Sequence, residues 1–183
     1  MPLAITFVTH STSLDNEAGV ASGHSDVELS PRGREQAREL GDHLRDHEFA
    51  VVYSSDLRRA AETARIAFGE RGIPLEQDPR LRECDYGELT RAPTADVAAA
   101  RPGHINEPFP GGESYEQVAL RMRAALDDFV GRHDGQRIVI VGHRATQHCL
   151  EHLANGVPLA ETVSSPWEWQ PGWDYDYEAE GTA

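Results

Sequence analysis

Basic charge is what this chain is short of. Seventeen basic residues stand against 31 acidic ones, leaving a net charge of -14. A surface of that sign repels nucleic acid and anionic membrane over long range, so neither is expected as a partner. It would also repel a phosphorylated ligand unless arginine and histidine reverse the sign locally. An acidic shell around a basic pocket is therefore expected. Cysteine is scarce as well. Two residues, Cys84 and Cys149, cannot make a disulfide framework or a four-cysteine zinc site, and they point to free thiols in a reducing compartment. Long apolar runs are missing. Met1-Pro2-Leu3-Ala4-Ile5-Thr6-Phe7-Val8 has no basic n-region and too short an apolar run for a signal peptide. No stretch approaches the length needed to span a bilayer. The expected location is cytoplasmic. No internal repeat or low-complexity block stands out.

What is present suits one soluble domain: 183 residues with 39% hydrophobic content, enough for a substantial core. The domain is expected to take in the whole chain, with an acidic tail flexible from about residue 176. Short apolar runs alternate with segments of helical period, the pattern of an α/β domain with a mainly parallel sheet. The expected architecture is a three-layer α/β/α sandwich. Leu3 to Val8 reads as a buried strand ending at Thr9-His10. Ser30 as N-cap and Pro31 at the first position open a helix whose inner face carries Ala37, Leu40 and Leu44. Phe49 to Tyr53 reads as a second strand, followed by a helix with Leu57, Ala60, Ala61, Ala64, Ala67 and Phe68 on one stripe. Thr90 to Gly112 reads as a long connection, with a short helix over Thr94 to Ala100 as a candidate lid. Val118, Met122, Ala125 and Phe129 mark a long amphipathic helix. Ile138 to Val141 is a third strand, ending at Gly142-His143, with a helix from about Ala145 to Ala154. The segment with Trp167, Trp169 and Trp173 suggests an edge strand. Ligands of open α/β sheets sit at the carboxyl ends of the strands, so the polar clusters at the three strand ends are expected to converge.

Those clusters hold His10, Arg59 and His143, and Glu83 lies between the second and third strands in Leu81-Arg82-Glu83-Cys84-Asp85-Tyr86-Gly87. A neutral imidazole is a good nucleophile near neutral pH, and a second, protonated imidazole can stabilise an attacked phosphate. A guanidinium matches two phosphate oxygens at once, and a carboxylic acid can protonate a leaving oxygen. These four side chains suffice for a two-step phosphoryl transfer with no cofactor and no metal.

Several segments together resemble the histidine phosphatase superfamily, the phosphoglycerate mutase-like fold. Thr9-His10-Ser11-Thr12-Ser13-Leu14-Asp15-Asn16 looks like its signature, usually Arg-His-Gly-Glu-Thr-x-x-Asn. Gly23 to Ala37, Ser54 to Ala64, Leu81 to Gly87, Pro110 to Ser114 and Val141-Gly142-His143 are similar to its later motifs, in register over roughly residues 3 to 150. The resemblance implies a cofactor-independent phosphatase acting on a small phosphorylated metabolite. It implies His10 as nucleophile, Glu83 as general acid and base, and Arg59, His143 and Asn16 as phosphate contacts. A mutase acting on phosphoglycerate is the less favoured outcome.

This chain departs from the pattern at Thr9, where the family has arginine, and at Ser11, where it has glycine. Losing a charge-assisted donor to phosphate costs roughly 1.5–3 kcal/mol. Ser11 could offer its hydroxyl or backbone N–H to phosphate, or simply fill the space of the glycine. A further departure is Arg144, beside the second histidine. It is long enough to reach back and replace the charge missing at position 9; alternatively it caps the sheet edge or pairs with an acidic surface group. Loss of the arginine also leaves room for a fold-retaining binding or regulatory protein, or for an enzyme with a non-phosphate substrate. His148 and His152 have a metal-binding spacing but no third ligand near them, which favours a surface or helix-packing role. For Asn16 an Asx-turn in a loop is the alternative to a phosphate contact, and His24 is expected either to line the pocket mouth or to face solvent from a loop. Arg58 is expected to face solvent.

Overall fold

The computed structural model describes residues 1–179. In chain order the elements are β1 (Leu3–Thr9), α1 (Leu14–Ala18), α2 (Pro31–His43), β2 (Val52–Ser54), α3 (Arg58–Phe68), β3 (Leu75–Gln77) and α4 (Thr94–Ala100). They are followed by α5 (Tyr115–His133), β4 (Arg137–Gly142), α6 (Arg144–Asn155), α7 (Leu159–Ser164) and β5 (Trp173–Tyr177). The sheet runs β3-β2-β4-β1-β5. All pairs are parallel except β1 with β5.

β1, β2 and β4 are buried on both faces, which is why they read as unbroken apolar runs, whereas β3 is exposed and β5 alternates. Side-chain alternation sorts them into two cores. Val52, Val139 and Val141 face Leu44, Ala60, Ala64 and Phe68 of the α2 and α3 side. Ile5, Phe7, Ile138 and Ile140 face Met122, Ala125 and Phe129 of α5 and Cys149 and Leu150 of α6. The result is a mixed α/β sandwich of three layers. Helix ends follow the local chemistry. The Ser30 hydroxyl accepts from Gly33 N–H, and Ser114 forms a reciprocal capping box with Gln117. Gly33 is required by close approach, because a Cβ there would lie 1.9 Å from the Thr12 carbonyl. That contact seats the loop after β1 on the start of α2.

Three expectations need adjustment. The second strand is Val52–Ser54, shifted toward the carboxyl end, and Phe49 lies before it with its ring edge-on to Phe68. The tail is not free from residue 176. Asp176 and Tyr177 belong to β5, and Tyr177 is buried, since pairing with β1 satisfies its backbone. Only the last part of the proposed flexible tail, residues 180–183, lies outside the described residues. The third adjustment is content: α1, β3 and α7 are short elements without a strong periodic signal. Among the described residues no helix is long and apolar enough to cross a membrane.

Candidate active site

Parallel β1 and β4 are neighbours with Thr9 opposite Gly142, so their carboxyl ends finish side by side. The His10 N–H donates to the Gly142 carbonyl at 2.9 Å, which carries the ladder one residue past the strand. The two imidazoles that follow are thereby brought side by side, with ring centroids 5.1 Å apart and planes tilted by 56°.

His10 donates from Nδ1–H to the Ser11 carbonyl, 2.7 Å away. A carbonyl can only accept, so this contact places the proton on Nδ1 and leaves the Nε2 lone pair available. Burial, then the Arg59 guanidinium, push the His10 pKa down to about 3, with the Ser11 contact opposing them. The ring is therefore neutral at physiological pH. His143 is fully buried, and neither ring nitrogen has a hydrogen-bond partner among the described residues. Burial, then Arg59 and His10, hold it well below the usual histidine range. The expected protonated second imidazole is thus neutral in the protein by itself; a dianionic ligand would have to reverse the local field before His143 took up a proton.

Arg59 is the second residue of α3 and almost wholly buried. Its guanidinium donates to the carbonyls of Gly23 and Ser25 at 2.8 and 2.9 Å, which ties the 23–25 loop to the site. Arg58 is exposed and pairs with Glu28. The Ser11 backbone N–H donates to the Thr63 hydroxyl, and that hydroxyl donates to the Arg59 carbonyl. The N–H of Ser11 is therefore engaged inside the protein, leaving its hydroxyl as the group that can face a ligand. Thr9 is half-buried at the end of β1 and places no positive charge there. Asn16 is exposed on α1, and its side-chain oxygen accepts from the backbone and hydroxyl of Ser13. That is a capping role at the start of α1.

Glu83 is buried, and its Oε1 accepts from the backbone N–H groups of Cys84 and Ala145. Ala145 lies in the first turn of α6, so the carboxylate sits at a helix N-terminus beside His143. The segment carrying Glu83 is held from outside. Arg121 of α5 donates to the carbonyls of Arg80, Arg82 and Glu83 and forks onto both oxygens of Glu113. His24 Nε2 lies 2.7 Å from the Glu83 carbonyl, and the ring is 3.7 Å from the carboxylates of Asp85 and Glu113. His24 is therefore half-buried against the acid segment instead of lying free in solvent.

Arg144 makes neither the ion pair nor the edge cap considered for it. Its guanidinium lies 5.6 Å over the Trp167 ring, and its Nε is buried without a partner. The charge that acts on His10 is that of Arg59. His148 is buried, 6.2 Å from the Tyr115 ring, while His152 bonds the Val157 carbonyl. Trp173 packs on Phe7 and Trp167, and Trp169 is exposed. Among the described residues no group of three or more His, Cys, Asp or Glu is arranged to hold a metal. Cys84 and Cys149 are buried free thiols.

Thr63 and Arg121 serve this region without having been singled out. Thr63 stands one helical turn from Arg59, a spacing that could have flagged it. Arg121 carries no local signal, because its partners lie far along the chain.

The profile of the histidine phosphatase superfamily (branch 1) matches residues 5–168. A probable phosphoglycerate mutase GpmB of Erwinia tasmaniensis is 33% identical over 164 residues, 85% of this chain and 76% of that protein. Among solved structures, Bacillus stearothermophilus YhfR superposes with a TM-score of 0.81 at 30% identity, covering 92% of this chain and 88% of that one. The mycobacterial glucosyl-3-phosphoglycerate phosphatase, in a structure with VO3, gives 0.80 at 26% identity, with 88% and 86% covered. The chain belongs to branch 1 of the histidine phosphatase superfamily.

Proposed function

We propose that this protein is a phosphatase that hydrolyses a small soluble phosphomonoester through a phosphohistidine on His10, without metal or cofactor. The observation that carries this reading is the Nδ1 contact of His10 with the Ser11 carbonyl, which leaves Nε2 as a neutral nucleophile opposite His143. In the first step Nε2 attacks phosphorus and the bond to the leaving oxygen breaks. Arg59 and His143 carry the charge on the equatorial oxygens. Glu83, held by Oε1, protonates the leaving oxygen from Oε2. In the second step Glu83 takes a proton from water as the water attacks the phosphohistidine, which releases phosphate and restores His10.

Phosphatase-named and mutase-named relatives both occur, so the test must separate hydrolysis from transfer. Purified protein is supplied with a panel of phosphorylated metabolites, and inorganic phosphate is measured beside rearranged organic phosphate. Release of inorganic phosphate as the main product supports the proposal; retention of the phosphoryl group on a rearranged product overturns it in favour of a mutase. Thr9, in place of a guanidinium, favours a second reading, a protein that binds phosphorylated ligands without turning them over. Tight binding with no release from any panel member would support that one.

A further inference from the structure

His24 sits in a turn that touches both the Arg59 side and the Glu83 side of the site. The Ser25 N–H donates to the Ser22 carbonyl at 2.8 Å, which leaves Gly23 and His24 in the middle of a tight turn. The flanks of this turn are fixed elsewhere. Before it, the Ala21 N–H donates to the Ala92 carbonyl at 2.9 Å, and the Ala21 carbonyl accepts from the Arg91 N–H at 2.7 Å. After it, the Asp26 carboxylate accepts from the Arg58 N–H at 2.7 Å, at the start of α3. The turn is thus stretched between the helix that carries Arg59 and the segment that follows Glu83.

Arg59 holds the turn from inside. Its guanidinium donates to the Gly23 carbonyl at 2.8 Å and to the Ser25 carbonyl at 2.9 Å, one on each side of His24. A guanidinium has more N–H donors than these two bonds use, so the others remain for a phosphate. On its other side the turn reaches Glu83 through the His24 ring. Nε2 is 2.7 Å from the Glu83 carbonyl, and since a carbonyl can only accept, Nε2 carries the proton. Arg121 donates to the same carbonyl at 2.9 Å, so the Glu83 backbone is gripped twice, once from α5 and once from the turn. Asp85 and Glu113, each 3.7 Å from a ring nitrogen, flank the imidazole and fix where it lies. An unbroken chain of hydrogen bonds therefore runs from Arg59 through the turn and the His24 ring to the backbone of Glu83.

We infer that His24 is a positioning residue that couples phosphate binding at Arg59 to the placement of Glu83. This deepens the phosphatase reading and rests on it, because there Arg59 holds the phosphate and Glu83 moves the proton. A phosphate on the remaining donors of Arg59 fixes the guanidinium. The guanidinium fixes the carbonyls on either side of His24, and the ring fixes the Glu83 backbone. Arg121 holds the same carbonyl whether or not ligand is bound, and His24 is the arm that responds to ligand. The ring itself makes and breaks no bond to substrate. Its effect is to set the acid in place when there is a phosphate ester to protonate.

The test is amide hydrogen exchange, which does not depend on turnover, with inorganic phosphate as the probe and its binding followed by calorimetry. In the wild type, phosphate is expected to slow exchange of the Cys84, Asp85 and Gly87 amides by about fivefold or more. His24→Phe keeps a ring and loses the donor, so it should lose this slowing while still binding phosphate within about fivefold of wild type. His24→Ala is read in the same way. His24→Gln keeps a side-chain N–H and should restore most of the slowing. On alkyl phosphates His24→Phe should lower kcat/KM by about tenfold, but by less than about twofold in a Glu83→Gln background, because it acts through that carboxyl. Equal slowing with and without the donor, slowing in neither, or a full tenfold loss in the Glu83→Gln background each overturns the coupling and leaves the phosphatase reading standing. Failure of phosphate to bind the wild type overturns the phosphatase reading, and the coupling with it.

Discussion

Arg121 grips Glu113 with Nε and Nη2 at 2.9 and 3.0 Å, and the same guanidinium closes on the carbonyl of Glu83. Glu113 in turn accepts from the Asp85 N–H, so the pair brackets the proton-transfer candidate on both sides. Gly87 completes the turn: its φ is +52°, and a Cβ there would lie 2.1 Å from the Pro110 carbonyl.

Arg121 is a positioning residue for Glu83. Arg121→Met is expected to lower kcat by roughly 10- to 100-fold with a smaller change in KM, because misplacing an acid weakens proton transfer more than binding. The deficit should shrink for substrates with a good leaving group, such as p-nitrophenyl phosphate, which need less protonation. A deficit of equal size for poor and good leaving groups would show that Arg121 is merely structural.

His10→Ala should abolish an alkali-stable, acid-labile phosphoprotein formed with substrate and trapped without acid. Glu83→Gln should slow turnover by about 10²- to 10⁴-fold while still permitting labelling. A fully active His10→Ala protein would sink the mechanism. Turnover should also survive EDTA; complete loss restored by a divalent cation would do equal damage.

Thr9 and Arg144 are expected to act independently. Thr9→Arg should tighten phosphate binding by about tenfold, restoring one charge-assisted donor at the end of β1. Because the Arg144 guanidinium lies over the Trp167 ring, Arg144→Gly should change phosphate binding by the same small factor in either background. Recovery of the Arg144→Gly loss by Thr9→Arg would instead mean that Arg144 replaces the guanidinium missing at position 9.

His148 should make the fold acid-sensitive. Burial, then Arg144 and Arg101, push its pKa from 6.5 down to about 3. Between those values the unfolded chain binds the extra proton, so stability rises with pH through this window and is lost on acidification from about 6.5 toward 3. Denaturant unfolding at about pH 7.5 and about pH 5 should show wild type losing roughly 2 kcal/mol more than His148→Leu. Equal losses in the two proteins would mean that His148 accepts its proton without cost.

By itself the sequence determined the alternation of strands and helices, because burial on both faces leaves unbroken apolar runs and helix caps are local chemistry. It also determined which residues stand at the strand ends: His10 and His143 each follow an apolar run, and Arg59 follows a short turn. Tertiary structure decided what those residues touch. The Ser11 N–H meets Thr63 across 52 positions, and β5 reaches back to β1 to bury Tyr177. Among the described residues Arg144 lies over Trp167 and pairs with no carboxylate, a contact made after the chain has turned through α7. Such contacts depend on strand order and on the direction in which each side chain leaves the backbone. Periodicity along the chain encodes which face is apolar, but not which distant group will lie across from it.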